Sequence, residues 1–225
     1  MSNLMVNRNQ LEHVKANAKK LEALLPEYQQ RGELPYGVKY HQFRLGPPLR
    51  PPEIEAFEQE HQIHLPEDYR AFLLEVGNGG AGPLTHLVPL AEWGSHCFCW
   101  ENSPHSRGPV PAVASPQAGY LASPSPLSPA HPNDPDDQSW SEALAVDWDV
   151  FQGAVAVAES FPVMDAASTL LIVTGEARGR VVDVGELWQP PSFPDFPDFL
   201  SWYLAWQEAM LAFDPPAFYG RVRAR

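Results

Sequence analysis

The chain is poor in cysteine, in charge and in long apolar runs. Two cysteines in 225 residues make no disulfide scaffold. No apolar run approaches the roughly 20 residues that a membrane-crossing helix needs. Charged residues are 19% of the chain, below the usual share of about a quarter. Bases are scarcest in the body of the sequence: residues 51–220 hold only Arg70, Arg107, Arg178 and Arg180 against 24 acids. A net charge of −13 makes nucleic acid a poor partner, because its phosphates must be neutralised by Lys and Arg. The first ten residues are polar and lead into a lysine-bearing segment with no apolar h-region. A secretory signal is therefore not expected, and the chain reads as a soluble cytoplasmic protein with no membrane attachment.

What is present is enough for a core. Hydrophobic residues are 44% of the chain and aromatics 11%, which excludes wholesale disorder. Proline is unusually frequent, with 25 residues. Charge is also unevenly placed: residues 1–50 carry eight bases and four acids, and residues 221–225 add three arginines. An acidic body of this kind repels nucleic acid and attracts basic partners.

Leu11, Val14, Ala18, Leu21 and Leu25 recur at spacings of three and four, predicting an amphipathic helix over 11–25. Pro26 disfavours its continuation. A second helix is expected from Pro51 to His61, with prolines in its first turn, glutamates at its positive end, and Ile54, Phe57 and His61 on one face. A third runs from Leu65 to Val76, burying Tyr69, Phe72, Leu73 and Val76, and Gly77-Asn78-Gly79-Gly80 ends it. Leu84 to Trp100 reads as one or two short strands. Val146, Trp148 and Val150 alternate with Asp147 and Asp149 as in a half-buried strand, and Ala154–Ala158 suggests another. Residues 169–174 and 180–184 read as a hairpin with a five-residue Gly-containing loop. Phe199, Trp202, Tyr203, Trp206 and Met210 form the stripe of a closing helix that ends near Leu211. The stretch 103–135 holds nine prolines and six serines and few large apolar side chains, so it is expected to lack regular structure and to lie outside the core. Helices segregated from a mainly antiparallel sheet define an α+β fold, with an N-terminal basic helical extension (1–45), a principal domain (46–215) interrupted by the Pro/Ser-rich insertion, and a basic tail (216–225).

Chemistry-bearing motifs are missing. There is no phosphate-binding loop, and the glycines at 77–82 follow a helix instead of opening one. His96, Cys97 and Cys99 lack the paired spacing of a zinc site, and no nucleophile elbow occurs. Carboxylate pairs are too common to single out a catalytic one. No enzymatic activity, metal or cofactor is expected.

The order Ile54-Glu55-Ala56-Phe57-Glu58, then Leu65-Pro66-Glu67-Asp68-Tyr69-Arg70-Ala71-Phe72, then Asn78-Gly79-Gly80 resembles the SUKH superfamily, the Smi/Knr-like group. The stretches 170–179 and 196–203 resemble that group's strand-and-turn and closing aromatic helix. The resemblance implies helices packed on a mainly antiparallel sheet, no catalytic residues, and a protein partner. Many bacterial members are immunity proteins that neutralise a cognate toxin, often a nuclease or deaminase, whereas fungal relatives are regulatory interaction proteins. Leu65, Pro66, Tyr69, Phe72, Asn78, Gly79 and Gly80 are expected to be structural, with Tyr69 and Phe72 buried and a positive φ at Gly79 or Gly80. A basic toxin partner would meet solvated carboxylates on exposed strand faces or loop ends, for which Asp134, Asp136, Asp137, Asp147, Asp149, Asp183 and Glu186 are the candidates.

Overall fold

A computed structural model describes residues 7–32, 34–35, 37–93, 119–129, 151–159, 168–184 and 191–223. The first helix, α1, spans Arg8–Arg31. The Asn7 side chain caps it by accepting from the Gln10 amide at 3.2 Å, and Gly32 closes it in the left-handed conformation. It runs straight through Pro26, where the sequence predicted an end. A proline inside a helix removes one backbone hydrogen bond and costs about 3 kcal/mol. Here the turn beyond it carries Tyr28, 2% exposed, whose hydroxyl donates to the Met210 carbonyl. Burying that ring offsets the lost bond.

A single helical turn, α2 (Val38–His41), leads to α3 (Pro51–His61) and α4 (Glu67–Glu75). At the start of α3 the Glu53 carboxylate accepts from the Arg50 amide at 2.8 Å and from its Nε at 3.0 Å, while the Glu53 amide donates to the Arg50 carbonyl at 3.0 Å. Helix α4 begins one residue after Pro66, which occupies its N-cap position. The long aromatic helix α5 covers Phe199–Leu211, with the Asp198 carboxylate accepting from the Ser201 amide at 2.7 Å. Helix α6 (Pro215–Arg223) runs through most of the stretch read as a basic tail. Its cause is apolar: Phe218 is buried, its ring 6.3 Å from Trp202 and 6.1 Å from Phe196.

Four strands form one antiparallel sheet in the order β1 (His86–Leu87), β2 (Ala154–Glu159), β3 (Ser168–Ile172), β4 (Val181–Val184). The fold is therefore α+β. Side chains alternate across the sheet. Leu171 and Val181 join the helices in the main core, while Leu170, Ile172, Val182 and Val184 form a second cluster with Leu127, Phe151 and Phe193. A bulge between Ala156 and Ala158 shifts the register, so that Val157 and Ala158 both reach the main core.

The second cluster corrects the reading of the Pro-rich stretch. Its portion 119–129 is packed, not peripheral: Leu121 is 1% and Leu127 2% exposed. The Ser125 amide donates to the Thr174 carbonyl at 2.8 Å and the Gly153 amide to the Tyr120 carbonyl at 3.0 Å. Two leucines and backbone hydrogen bonding hold a segment whose average composition argued against burial. Gly153 permits the approach, since a Cβ there would stand 2.5 Å from the Ser123 carbonyl oxygen. The predicted strand at Val146–Val150 lies outside the described residues, as do residues 94–118 and 130–150 as a whole.

Candidate interaction surface

The motif segments meet one another, and the contacts are structural. The Leu65 amide donates to Glu58 at 2.9 Å. From the β3–β4 turn, Arg178 reaches back to donate to the carbonyls of Leu65 at 2.9 Å and His64 at 3.3 Å, and pairs with Glu67 at 3.3 Å. Asp68 accepts from the Leu200 amide at the start of α5, at 3.1 Å. Burial pushes its carboxyl up to about 6, partly offset by that amide. Tyr69 and Phe72 are buried against α5, with Phe72 5.1 Å from Phe199 and 4.9 Å from Tyr203, both near-perpendicular. Gly79 and Gly80 hold φ of 78° and 91°, where a side chain is strained. Gly80 bridges Leu45 on one side and Leu87 on the other, and the Asn78 side chain accepts from the Leu90 amide at 2.8 Å. The Asn-Gly-Gly segment is thus an extra rung that ties residues 44–46 to the sheet.

Of the acids expected to meet a partner, only Asp183 is described; Asp134, Asp136, Asp137, Asp147, Asp149 and Glu186 lie outside the described residues. Asp183 is not a solvated carboxylate on an exposed face. It is half-buried, accepts from the Thr169 hydroxyl at 2.7 Å, and exchanges two backbone hydrogen bonds of 2.8 Å with Ser192. The period of two places it on the same face as Val181, which belongs to the main core.

The exposed charge of the body is nevertheless acidic. Glu55, Glu60, Glu92, Glu176, Asp195, Glu208 and Asp214 are exposed. Each described base there is engaged: Arg70 with Glu58, Arg178 with the α4 start, and Arg180 with the Pro194 carbonyl. Sequence reasoning also missed a half-buried aromatic patch. Phe57 and His61 lie 4.5 Å apart on α3; Trp93 stands perpendicular to both, at 6.4 and 5.2 Å, and Tyr120 stacks on Trp93 at 6.3 Å. The shared face of Phe57 and His61 was legible from their i, i+4 spacing; the arrival of Trp93 and Tyr120 was not. Among the described residues there is no group of three metal-ligating side chains, and no helix is long and apolar enough to cross a membrane. His41 is buried between Phe43 and Trp206, its Nδ1 accepting from the Phe43 amide at 3.0 Å, and burial drives its pKa down to about 4. It is a neutral core imidazole.

Comparison with curated proteins gives no match, and comparison with solved structures gives none. A family model does match: that of the SMI1 / KNR4 family (SUKH-1), over residues 48–202. The matched span takes in α3, α4, the whole sheet and the start of α5, with every motif segment that holds them together, and it is well over half of the sequence. The family is in general one of non-enzymatic binding proteins, often immunity proteins. On this match and this architecture, the chain belongs to the SMI1 / KNR4 family (SUKH-1).

Proposed function

We propose that this protein is a cytoplasmic, non-enzymatic immunity protein that neutralises a basic toxin domain of the nuclease or deaminase kind. The observation that carries the reading is the outward charge of the body. Glu55, Glu60, Glu92, Glu176, Asp195, Glu208 and Asp214 are exposed, while Arg70, Arg178 and Arg180 are committed to internal partners. Such a surface attracts a cationic protein over about a Debye length and speeds its association. Enzymes that cleave or edit nucleic acid need cationic surfaces for their own substrate. An acidic inhibitor engages those same surfaces. Asp134, Asp136, Asp137, Asp147, Asp149 and Glu186 add to this charge and remain candidate contacts, whereas Asp183 is better placed to hold β3 to β4.

The test is capture of the partner from the native host at low salt, followed by co-expression of the two genes. The reading expects a basic domain that is toxic when expressed alone and harmless with this protein, with an association rate that falls steeply between about 50 and 500 mM salt. A partner without toxicity would overturn it in favour of a regulatory scaffold. A salt-independent association rate would remove the electrostatic basis.

A further inference from the structure

Helix α6 is held to the body by little. Among residues 215–220 only Phe218 is buried, its ring 6.1 Å from Phe196 and 6.3 Å from Trp202. Nine residues are too few for a helix to persist in water alone, and Gly220 weakens this one further. Its helical state therefore depends on the dock. The chain leading to it is anchored as far as Phe213, whose ring lies 4.6 Å from that of Tyr28 and 3.6 Å from the Arg31 guanidinium. Phe213 takes a left-handed φ of 55°, which turns the chain back at this point. Asp214 then caps α6 by accepting from the Ala217 amide at 3.3 Å. On the α5 side of the contact Trp202 is fully buried, yet its indole N–H finds no acceptor among the described residues. A buried donor without a partner opposes burial, because water would bond it in an open state.

We propose that α6 is a strap that unlatches from α5 and refolds onto it as a unit while α1 to α5 and the sheet stay folded. Phe218 is its latch, and the residues just after Phe213 are its pivot. In the open state the α6 amides and the Trp202 indole N–H reach water together, because the same contact covers both. Such local openings draw on elements with few buried apolar contacts, and α6 has one buried ring where α1 has four buried apolar side chains, Leu11, Val14, Leu21 and Tyr28. The strap lies beyond the residues matched to the family, whose last position is Trp202 itself. Access to the Trp202 face of α5 is thereby conditional on a segment that the family pattern does not include.

The test is native-state hydrogen exchange of the full chain followed by NMR, with the indole signal identified by its loss in Trp202→Phe. The α6 amides and the Trp202 indole N–H should share one degree of protection, at least about ten-fold below that of the central α5 amides. Urea below the unfolding transition should lower α5 protection steeply and α6 protection hardly at all, because a local opening exposes little surface. Phe72→Ala, which weakens the core in the open and closed states alike, should lower α5 protection and leave α6 and the indole within about two-fold of their original values. Gly220→Ala should raise the protection of α6 and of the indole roughly five-fold, the difference in helix propensity between the two residues. A Cβ at Gly220 meets nothing within 4 Å, so that variant changes helicity alone. If α6 and α5 show equal protection with equal urea slopes, they open only by global unfolding and the strap is overturned. Unprotected α6 amides would also overturn it, since a frayed end never closes. An indole that Gly220→Ala leaves unmoved would overturn the latch over Trp202. Should Phe72→Ala fail to fold, the urea series on the unaltered chain decides by itself.

Discussion

Helix α5 is packed from two sides by different means. On the α4 side the contact is aromatic: Tyr69 and Phe72 set their rings at 4.7 and 5.1 Å from Phe199, at steep angles. On the α1 side it is aliphatic and tied by polar groups. Leu11, Val14 and Leu21 are buried, the Gln207 amide donates to the Val14 carbonyl at 3.1 Å, and Tyr28 donates to the Met210 carbonyl. The α4 side lies within the residues matched to the family and the α1 side outside them. Yet both belong to one core cluster. A segment outside the family pattern is thus as much a part of the hydrophobic core as the family's own motif.

The most severe way to break this comparison is to remove residues 1–45. Four apolar side chains now buried on α1, Leu11, Val14, Leu21 and Tyr28, would leave, each worth about 1.5–3 kcal/mol, a sum comparable to the whole stability of a typical domain. The truncated chain should lose its cooperative thermal transition and bind a hydrophobic dye; a sharp melt near that of the full chain would show α1 to be dispensable. Phe72→Ala on the opposite side should cost about 3–5 kcal/mol by chemical denaturation, as for other buried aromatics, with no change in the denaturant slope.

A third prediction concerns two titratable groups, half-buried Asp68 and buried His41, that act in opposite directions. Asp68, at the α4–α5 contact, titrates near 6 when folded and below 4 when free. The folded state therefore holds the extra proton, and stability is lost as pH rises from about 4 to 6. His41 titrates near 4 when folded and near 6.5 when free. Here the unfolded chain takes the proton first, so stability is lost as pH falls through the same window. Asp68→Asn should raise stability at pH 7 by on the order of 2 kcal/mol. It should also turn a nearly level stability profile between pH 4 and 6.5 into one that declines with acid. A variant that is no more stable at pH 7 would mean that Asp68 is not held against its charge. The smallest effect expected is at Glu75, which receives both Arg8 and Lys15 across the α1–α4 contact. These groups are partly solvated, so Glu75→Gln should cost less than about 1 kcal/mol, and raised salt should erase the difference.

Much of the fold was legible locally. The i, i+3, i+4 spacing of Tyr69, Phe72 and Leu73 marked the buried face of α4, and the glycines at 79 and 80 mark a backbone that a side chain would strain. The closing helix ended at Leu211, where its apolar stripe ends. The hairpin was readable from two β-branched runs and a Gly-bearing turn, which the structure closes with bonds between Ile172 and the Arg180–Gly179 pair. Less of the candidate site was legible. Phe57 and His61 announced themselves by spacing, but Trp93 and Tyr120 reach them from elsewhere in the chain, and Asp183 looked solvated only because its neighbour Thr169 was not known to face it.

The sign of the surface charge and most local elements follow from composition and short-range spacing, which need no partner to be read. The tertiary structure decided that α1 continues through Pro26, that the stretch 119–129 is packed, with Leu121 in the main core and Leu127 in the second cluster, and that α6 is a helix. The first two outcomes run against a local preference, and each of the three is held by burial of one or two apolar side chains, Tyr28, Leu121 with Leu127, and Phe218, against residues distant in the chain. Removing that much apolar surface from water outweighs a lost helical hydrogen bond or the entropy of a proline-rich loop, and only the assembled core supplies the surface to bury it against.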